Sequence, residues 1–250
     1  MLRFLYNYSN LTHQNMSFLK AEWNNIALIN YEVDPKTLEK HVPKGTELDI
    51  WNDKCYVSFI GFLFENVRIL GVKIPFHSDF EEVNLRFYVK RLENGVWKRG
   101  VVFISEIVPK HAISFVANNF YNQHYQTLPM KHTLTVDENS KGFFYQWKAN
   151  NNWNTIHVET KKNPIPIEAN SEAEFITEHY FGYIKINENT TFEYHVSHPR
   201  WQQLEVINNK SEIDFEGVYG PEFAVLKDLK PASVFLAIGS KISIEDKRKI

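Results

Sequence analysis

Two strand-like runs flank Asn94-Gly95, and alternation of apolar and polar residues is clear in the first of them. In the first run, from Phe80 onward, every second residue is apolar, which is the period of a strand with one apolar face. Asn-Gly favours the two-residue turn of a β-hairpin, so we predict a hairpin over residues 80–108. The alternation sets an apolar row against a polar row: Val83, Leu85, Phe87 and Val89 against Glu82, Asn84, Arg86 and Tyr88.

A two-residue turn at this place also predicts the register of the hairpin. The second run, residues 101–108, is apolar on nearly both faces, as in a strand that is covered on both sides. The polar row would therefore lie beside an apolar strand. The predicted pairs are Arg86 with Phe103, Asn84 with Ser105, Leu85 with Ile104, and Phe87 with Val102.

Three explanations of the polar row stay open at this point. Burial of an unpaired charge costs several kcal/mol, so a buried charge must be paired or must serve a ligand. The row could face a ligand pocket, with Glu82, Asn84 and Arg86 at its polar end. Alternatively, Glu82 and Arg86 could form an internal ion pair, or the row could be an ordinary solvated face of the sheet.

The same pattern, applied to the rest of the chain, predicts about ten strands and few short helices, which is typical of one strongly bent antiparallel sheet or barrel. Asp34-Pro35 and Ser171 with Glu174 are helix-start signals. Residues 208–232 contain Gly217, Gly220 and Pro221 and are predicted to be a loop. Further strands are predicted at 22–33, 47–51, 54–64, 131–136, 143–148, 155–160, 180–186, 191–196, 201–207 and 233–240, and short helices at 35–41, 111–125 and 171–179.

No linker divides the chain convincingly, so we predict a single domain over residues 16–244. Residues 1–15 are polar without clear periodicity and are predicted to be a loosely held extension. Residues 245–250 are predicted to be a charged, solvated tail. The chain has 250 residues, which is enough to bury a sizeable core.

Composition narrows the class of protein. Hydrophobic residues make up 43% and aromatic residues 15% of the chain, as in a globular protein. A net charge of -2 argues against a nucleic-acid partner. No stretch reaches the length of a membrane span, and no secretion signal is evident, so we predict a cytoplasmic location without a membrane partner. Homo-oligomerisation stays open.

Known motifs do not name a reaction. The chain contains no phosphate-binding loop, no GxSxG elbow and no HExxH pair. His195 and His198 lie close together, but no third ligand is near in sequence, so neither a metal nor another cofactor is predicted. We expect His198 to line a pocket mouth or to bond backbone. Cys55, the single cysteine, lies in an apolar run and is interpreted as a buried small hydrophobe.

Residues 120–125, FYNQHY, carry two phenols and an imidazole at the end of a predicted helix. Tyr121 and Tyr125 could reach a pocket, or the segment could simply pack over the sheet. The tryptophans could likewise be core or pocket lining, because spacing does not separate these uses.

Several motifs together resemble the YqjF-like family of uncharacterised proteins, which is placed in the acetoacetate decarboxylase-like superfamily. The resemblance covers residues 17–243. It implies an α+β, mainly β fold, namely a cone-shaped antiparallel β-barrel with a few short flanking helices around an apolar pocket. The motifs are AEWNNIALINYEVDP, LEKHVPKGTELDIWNDKCYVSFIGF, FEEVNLRFYV, GVVFISEIVP, FITEHYFGY, HVSHPRW and PASVFLAIGS.

The resemblance also implies which part of the decarboxylase chemistry is missing. Those decarboxylases form a Schiff base through one lysine of a pair, near a glutamate that Glu82 matches by motif position. The stretch ANNFYNQHYQTLPM has no lysine at the matching place. Lys110 and Lys131 are the nearest candidates and both are misplaced, while Lys90 lies near the hairpin tip. The fold and pocket are implied, but Schiff-base chemistry is not.

Two hypotheses of different class follow. The first is a protein that binds a small carboxylate-bearing or aromatic molecule in the pocket. The second is a lyase or isomerase that acts on a keto acid or related compound, with Glu82 as general acid or base. A surface that binds another protein is a third possibility, on which the sequence is silent. The predicted ligand-binding residues are Glu82, Asn84, Arg86, Phe103, Tyr121, Tyr125 and His198.

Overall fold

Strands dominate residues 17–250, the part of the chain that the computed structural model describes, with the side chains of Phe120 and Tyr121 left out. The predicted extension, residues 1–15, and the predicted domain start at residue 16 lie outside the described residues. Within them, fifteen strands form one sheet. They are β1 (Leu19–Glu32), β2 (Glu47–Leu48), β3 (Tyr56–Ile69), β4 (Val72–Lys73), β5 (Phe80–Glu93), β6 (Val96–Val108), β7 (Tyr125–Thr127), β8 (Met130–Val136), β9 (Ser140–Ala149), β10 (Asn152–Pro166), β11 (Phe181–Asn187), β12 (Thr190–Ser197), β13 (Gln202–Glu212), β14 (Ser233–Ile244) and β15 (Arg248–Lys249).

Pairing of β12 with β14 closes part of this sheet into a ring. The ring contains β12, β11, β6, β5, β3, β1 and β14, and an arm of β13, β10, β9 and β8 continues from β14. A bulge between Asn24 and Ala27 bends β1 within the ring. There Gly239 of β14 lies so near the Trp23 carbonyl oxygen that a Cβ would approach it to 1.8 Å, so glycine is required. The predicted strongly bent, mainly β architecture is confirmed.

Two of the short helical segments around the sheet begin where local capping signals predict them. Asp34 Oδ1 accepts from the Lys36 amide at 2.9 Å, and Pro35 opens the first of two 3₁₀ turns, Pro35–Thr37 and Glu39–His41. Ser171 Oγ accepts from the Glu174 amide at 3.2 Å at the start of a helix. The α-helices are α1 (His111–Tyr121), α2 (Glu172–Thr177) and α3 (Phe215–Tyr219). No helix among the described residues is long and apolar enough to span a membrane.

The loop prediction for residues 208–232 is wrong, because this stretch contains the end of β13, α3 and a 3₁₀ helix at Pro221–Lys227. Asp214 caps α3 by accepting from the Gly217 amide at 3.0 Å. Phe215 and Phe223 are buried against the core. Gly217 lies within α3, while Gly220 and Pro221 mark the end of α3 and the start of the 3₁₀ helix, a use of these residues that sequence patterns alone do not separate from a loop.

The hairpin turn is confirmed, and its register is confirmed in part. Asn94 and Gly95 both have positive φ, 51° and 79°, as the two-residue turn requires. A β-bulge then inserts one extra residue, Ile104, into β6. Arg86–Phe103 and Phe87–Val102 pair as predicted, but Leu85 pairs with Ser105 and Asn84 with Glu106, so the predicted partners Ile104 and Ser105 are wrong for those two residues.

Each face of β5 packs against a different group of side chains. The apolar row, including Val83 and Phe87, is fully buried in one core cluster. The polar row faces the second cluster, which contains Phe62, Phe64 and Phe80. Glu82 and Asn84 are each only 2% exposed, so the solvated-face explanation of the polar row is excluded.

The last residues of the chain are charged but take part in the sheet. Arg248 and Lys249 form β15, which pairs with Phe192 and Glu193 of β12. Arg248 also donates to the carboxylates of Glu93 and Glu193 at 2.6–2.9 Å. Arg248 and Lys249 remain exposed, and ion pairs from Arg248 to Glu93 of β5 and Glu193 of β12 also connect this tail to the ring.

Candidate active site: a buried carboxyl pair at the end of an apolar cavity

A cavity of about 150 Å³ lies between the ring of strands and α1. Its wall is mainly apolar, and an apolar cavity of ~150 Å³ in another protein is large enough to hold benzene. The residues that share its polar end come from β5, β6, β7, β12 and the segment after α1. They are Glu82, Asn84, Arg86, Glu106, Gln123, Tyr125 and Tyr194. Glu245 also lines the cavity, and the aromatic part of the wall is formed by Phe18, Trp23, Phe62, Phe64, Phe80, Phe103 and Trp201.

Glu82 is held by two hydrogen bonds. Asn84 Nδ2 donates to Glu82 Oε1, and the Tyr125 hydroxyl donates to Glu82 Oε2, both at 3.0 Å. Asn84 Oδ1 and Glu106 Oε2 are buried and have no hydrogen-bond partner. Because an unsatisfied buried polar atom costs about 1–3 kcal/mol, these two acceptors mark a place where a donor on a ligand would be stabilising.

The bulge in β6 brings Glu106 beside Glu82, and the pKa of each carboxyl is raised. Burial is the main cause for Glu82, whose pKa rises to about 7, against the lowering effect of Asn84, Tyr125 and Arg86. Burial and the charge of Glu82 raise the pKa of Glu106 well above its ordinary value. Two buried carboxyls that interact cannot both ionise near neutral pH, so they retain a proton between them.

Tyr125 is positioned by α1 through its backbone. Asn118 Nδ2 donates to the Tyr125 carbonyl, and the Tyr125 amide donates to Asn118 Oδ1, both at 2.8 Å. Residue 125 also pairs in parallel with Glu106 of β6. Burial and the two nearby carboxyls raise the pKa of Tyr125 well above its ordinary value, so its hydroxyl stays protonated and acts as a donor.

Arg86 does not form the internal ion pair that the sequence left open. Among the ion pairs of residues 17–250, none joins Arg86 to Glu82. Arg86 Nη2 donates to the Ile176 carbonyl at 3.4 Å, and the guanidinium lies 5.6 Å from the Tyr88 ring centre. Arg86 Nε is buried without a hydrogen-bond partner. The guanidinium therefore keeps a donor available at the polar end of the cavity.

The other predicted site residues fall in different places. Phe103 lies in the cavity wall. His198 is outside it and stacks on Trp201, with ring centres 4.2 Å apart, so it supports a wall residue from behind. The side chain of Tyr121 is outside the described part of the structure.

Burial raises the pKa of the Cys55 thiol to about 11, as expected of an unreactive core cysteine.

The cavity wall contains no lysine among the described residues. Lys131 lies 4.5 Å from the ring centre of Trp153, away from the cavity. Lys90 packs on the ring of Trp97 near the hairpin tip. The remaining candidate, Lys110, is the residue before α1 and is likewise outside the wall. The chain therefore has no side chain in the described wall that could form a Schiff base.

Glu106, Gln123 and Tyr194 are pocket residues that sequence reasoning missed. Alternation along β6 places Glu106 on the other face unless the bulge is known. Tyr194 approaches from β12, and its ring lies so close to Gly182 of β11 that a Cβ there would be 2.0 Å from the ring. The only sequence signal was this glycine within a strand, which indicates close approach of another group.

No group of three potential metal ligands is arranged to hold an ion within the described residues.

Comparison with known proteins defines the class of fold first. The structure resembles acetoacetate decarboxylase from Legionella pneumophila, with a TM-score of 0.62 and 14% identity, over 92% of this chain and 86% of that chain. It also resembles the enduracididine biosynthesis enzyme MppR in complex with pyruvate, with a TM-score of 0.63 and 10% identity, over 92% and 90% of the two chains. The protein thus has the acetoacetate decarboxylase-like fold.

Within this fold, the sequence matches the DUF2071 family, described as an uncharacterized conserved protein, over residues 20–241. The chain belongs to that family. It is also 26% identical to the uncharacterized protein YqjF of Bacillus subtilis over 211 residues, which cover 82% of this chain and 84% of that protein. The resemblance inferred from the motifs is confirmed.

Proposed function

We propose that this protein binds a small, largely apolar molecule that carries a carboxylate or carbonyl group. The observation that carries the proposal is the clustering of unpaired polar atoms, Arg86 Nε, Asn84 Oδ1 and Glu106 Oε2, at one end of an otherwise apolar cavity. An apolar site with a few converging polar groups is the usual form of a small-molecule site. A cytoplasmic location is part of the proposal and is tested by cell fractionation.

Each polar group has a definite use in this proposal. The free Arg86 donor binds a carboxylate or carbonyl oxygen through a charge-assisted hydrogen bond. The carboxyl pair accepts from a hydroxyl on the ligand or, through its retained proton, donates to a second carbonyl. The pyruvate named in the MppR complex is a 2-oxo acid of this chemical class, which supports the same choice of ligand for this chain.

Calorimetry and thermal-shift measurements with a panel of compounds test the proposal. The panel contains benzoate, phenylacetate, 2-oxobutyrate and 2-oxoisovalerate, with toluene and benzyl alcohol as uncharged comparisons. We expect at least one acid to bind, and Arg86→Gln to weaken it about tenfold to hundredfold, because a hydrogen bond to a charged group contributes ~1.5–3 kcal/mol. Arg68→Gln is the matched control, since Arg68 lies on β3 but is exposed.

Failure of every acid to bind would contradict the proposal. Equal binding by the wild type and by Arg86→Gln would contradict the role given to the guanidinium while leaving the cavity as the site. Preferential binding of toluene would show that the polar end contributes nothing to selectivity.

The carboxyl pair favours a second candidate function, a lyase or isomerase that moves a proton next to a carbonyl. One carboxylate would remove the proton while the neighbouring carboxyl and the Tyr125 hydroxyl donate to the carbonyl oxygen, without a Schiff base. NMR of 2-oxobutyrate in D₂O tests this, since exchange at C3 should depend on the protein and fall by about 10²-fold or more in Glu106→Gln. A borohydride-stable adduct on Lys110 or Lys131 would instead indicate Schiff-base chemistry.

A further inference from the structure

The outer edge of β6 is interrupted beside the cavity. β11 pairs in parallel with β6 at Gly100 and Val101, and β7 pairs with it from Glu106 onward. Between these two strands, no strand of the described part of the chain pairs with this edge over residues 102–105. The bulge residue Ile104 lies within this gap, so the ring of strands is open next to the polar end of the cavity.

A second cavity, of about 290 Å³, fills this gap and has a basic wall. Its charged and titratable lining residues are Lys40, His41, His124, Tyr183 and Lys185, and none of the described lining residues is a carboxylate. Lys185 Nζ donates to the Lys40 carbonyl at 2.7 Å, which ties the two lysine-bearing segments together. Lys40 also pairs with Glu222 and Lys185 with Glu188, and both glutamates are outside the lining. Because an ammonium has three N–H donors, each lysine can still donate to an additional anion.

The two cavities have two wall residues in common. Phe103 and Gln123 line both of them. Gln123 also hydrogen-bonds Tyr194 at the polar end of the apolar cavity. A molecule that passed between these side chains from the gap would therefore arrive directly beside the carboxyl pair and Arg86.

The face of the apolar cavity under α1 is a poorer route for a charged molecule. There α1 contributes Ile113, Val116 and Ala117 to the lining, all of them apolar. Asn118 fastens the end of α1 to β7 through two hydrogen bonds. An anion on that route would lose its hydration against apolar groups, whereas in the gap lysine donors would replace the lost water.

We propose that the gap along β6 is an anion-selective entrance, through which a small organic anion such as a carboxylate passes Lys40 and Lys185 and then moves between Phe103 and Gln123 into the apolar cavity. This inference rests on the proposed function, since it names anions as the class of ligand that the pocket receives. Clefts lined by one sign of charge raise the association rate of oppositely charged ligands.

A cysteine placed inside the apolar cavity reports on the entrance without a known ligand. Ile60 of β3 is buried, lines the cavity and pairs with Asn84, so Ile60→Cys puts a thiol on the cavity side. Its modification is followed by mass spectrometry with two reagents of similar size, anionic 2-sulfonatoethyl methanethiosulfonate and neutral 2-hydroxyethyl methanethiosulfonate. The thiolate forms a disulfide with the reagent sulfur and methanesulfinate leaves. The wild type, with only buried Cys55, gives the background rate.

Two changes to the entrance are then made in the Ile60→Cys protein. Lys40→Gln with Lys185→Gln should lower the rate of the anionic reagent relative to the neutral one about tenfold at low salt, and less at high salt. Lys36→Gln with Lys230→Gln removes the same charge from exposed positions outside the cavity and should leave that ratio unchanged. Gln123→Ala should raise the rates of both reagents by thinning the wall. Ile26→Cys, at another buried cavity position, replaces Ile60→Cys if that variant folds poorly.

An unchanged ratio in the Lys40 and Lys185 double variant, or an equal fall in the control, would overturn the entrance. Unchanged rates in Gln123→Ala would overturn the passage between the two cavities. These outcomes are independent of the ligand screen. If the reagent rates change as expected but no acid binds, only the proposed function is refuted. If an acid binds but the reagent rates do not change in the variants, only the entrance is refuted.

Discussion

The buried carboxyl pair should make the protein less stable as the pH rises, and Glu82→Gln should remove the part of this pH dependence that Glu82 contributes. The folded-state pKa of Glu82 is about 7, above its ordinary 4.5, because burial disfavours the charged form. A raised pKa of this kind contributes stability that is fully present below pH 4.5 and is lost as the pH rises through about 7. Glutamine keeps the shape of the side chain but cannot ionise, so the variant should not lose this contribution.

The size of the effect follows from the pKa of Glu82. The difference between 4.5 and about 7 corresponds to ~3 kcal/mol at about 1.4 kcal/mol per pKa unit. We therefore expect the free energy of unfolding of Glu82→Gln minus that of the wild type to be larger at pH 8 than at pH 4.5 by about 2–3 kcal/mol, meaning that the variant gains relative stability as the pH rises. Urea denaturation of both proteins at the two pH values measures this, and the subtraction removes pH effects common to both.

Controls separate this effect from a general change of charge. Glu138→Gln removes one carboxylate from an exposed position and should give no such pH-dependent difference. Glu106→Gln should act in the same direction as Glu82→Gln, since the pKa of that carboxyl is raised as well. If Glu82→Gln had the same effect on stability at pH 4.5 and at pH 8, the reasoning about a shared proton in a buried pair would be refuted.

Three further predictions concern residues outside the cavity, one of which is His179, a buried residue between α2 and β11 that contacts Asp49. Burial lowers the pKa of His179 to about 4, so its contribution to stability should be lost as the pH falls from about 6.5 through 4. In His179→Gln, the difference between the urea midpoints at pH 7 and pH 4.5 should therefore be smaller than in the wild type. An equal difference in the two proteins would refute this. Gly182→Ala should displace the Tyr194 ring, which should lower stability by ~1–3 kcal/mol and weaken the binding of any acid in the panel. Unaltered stability and binding would show that the ring has room to move. Arg248→Gln should cost about 1 kcal/mol or less because this side chain is about half exposed, with a smaller cost in 1 M salt, and a cost independent of salt would contradict the ion-pair explanation through Glu193.

Much of the local structure could be predicted from the sequence, because it depends on residues that are neighbours along the chain. Asn94-Gly95 favours positive φ at both positions, and the structure has it there. Alternation along β5 separates the side chains of the strand onto two faces whatever covers them. Asp34 and Ser171 cap their helices through hydrogen bonds to residues two or three positions away. The family motifs added the type of fold, which periodicity alone does not specify.

Only the tertiary structure decided what the polar row of β5 faces. The bulge at Ile104 depends on how β6 fits between its neighbours, and it determines that Glu106 rather than Ser105 lies opposite Asn84. Tyr194 reaches the same place from β12, which pairs with β14 and closes the ring, and Gln123 reaches it from the segment between α1 and β7. Local propensities thus determined that Glu82, Asn84 and Arg86 share a face, whereas closure of the ring, which depends on packing across the whole chain, turned that face into the polar end of a cavity.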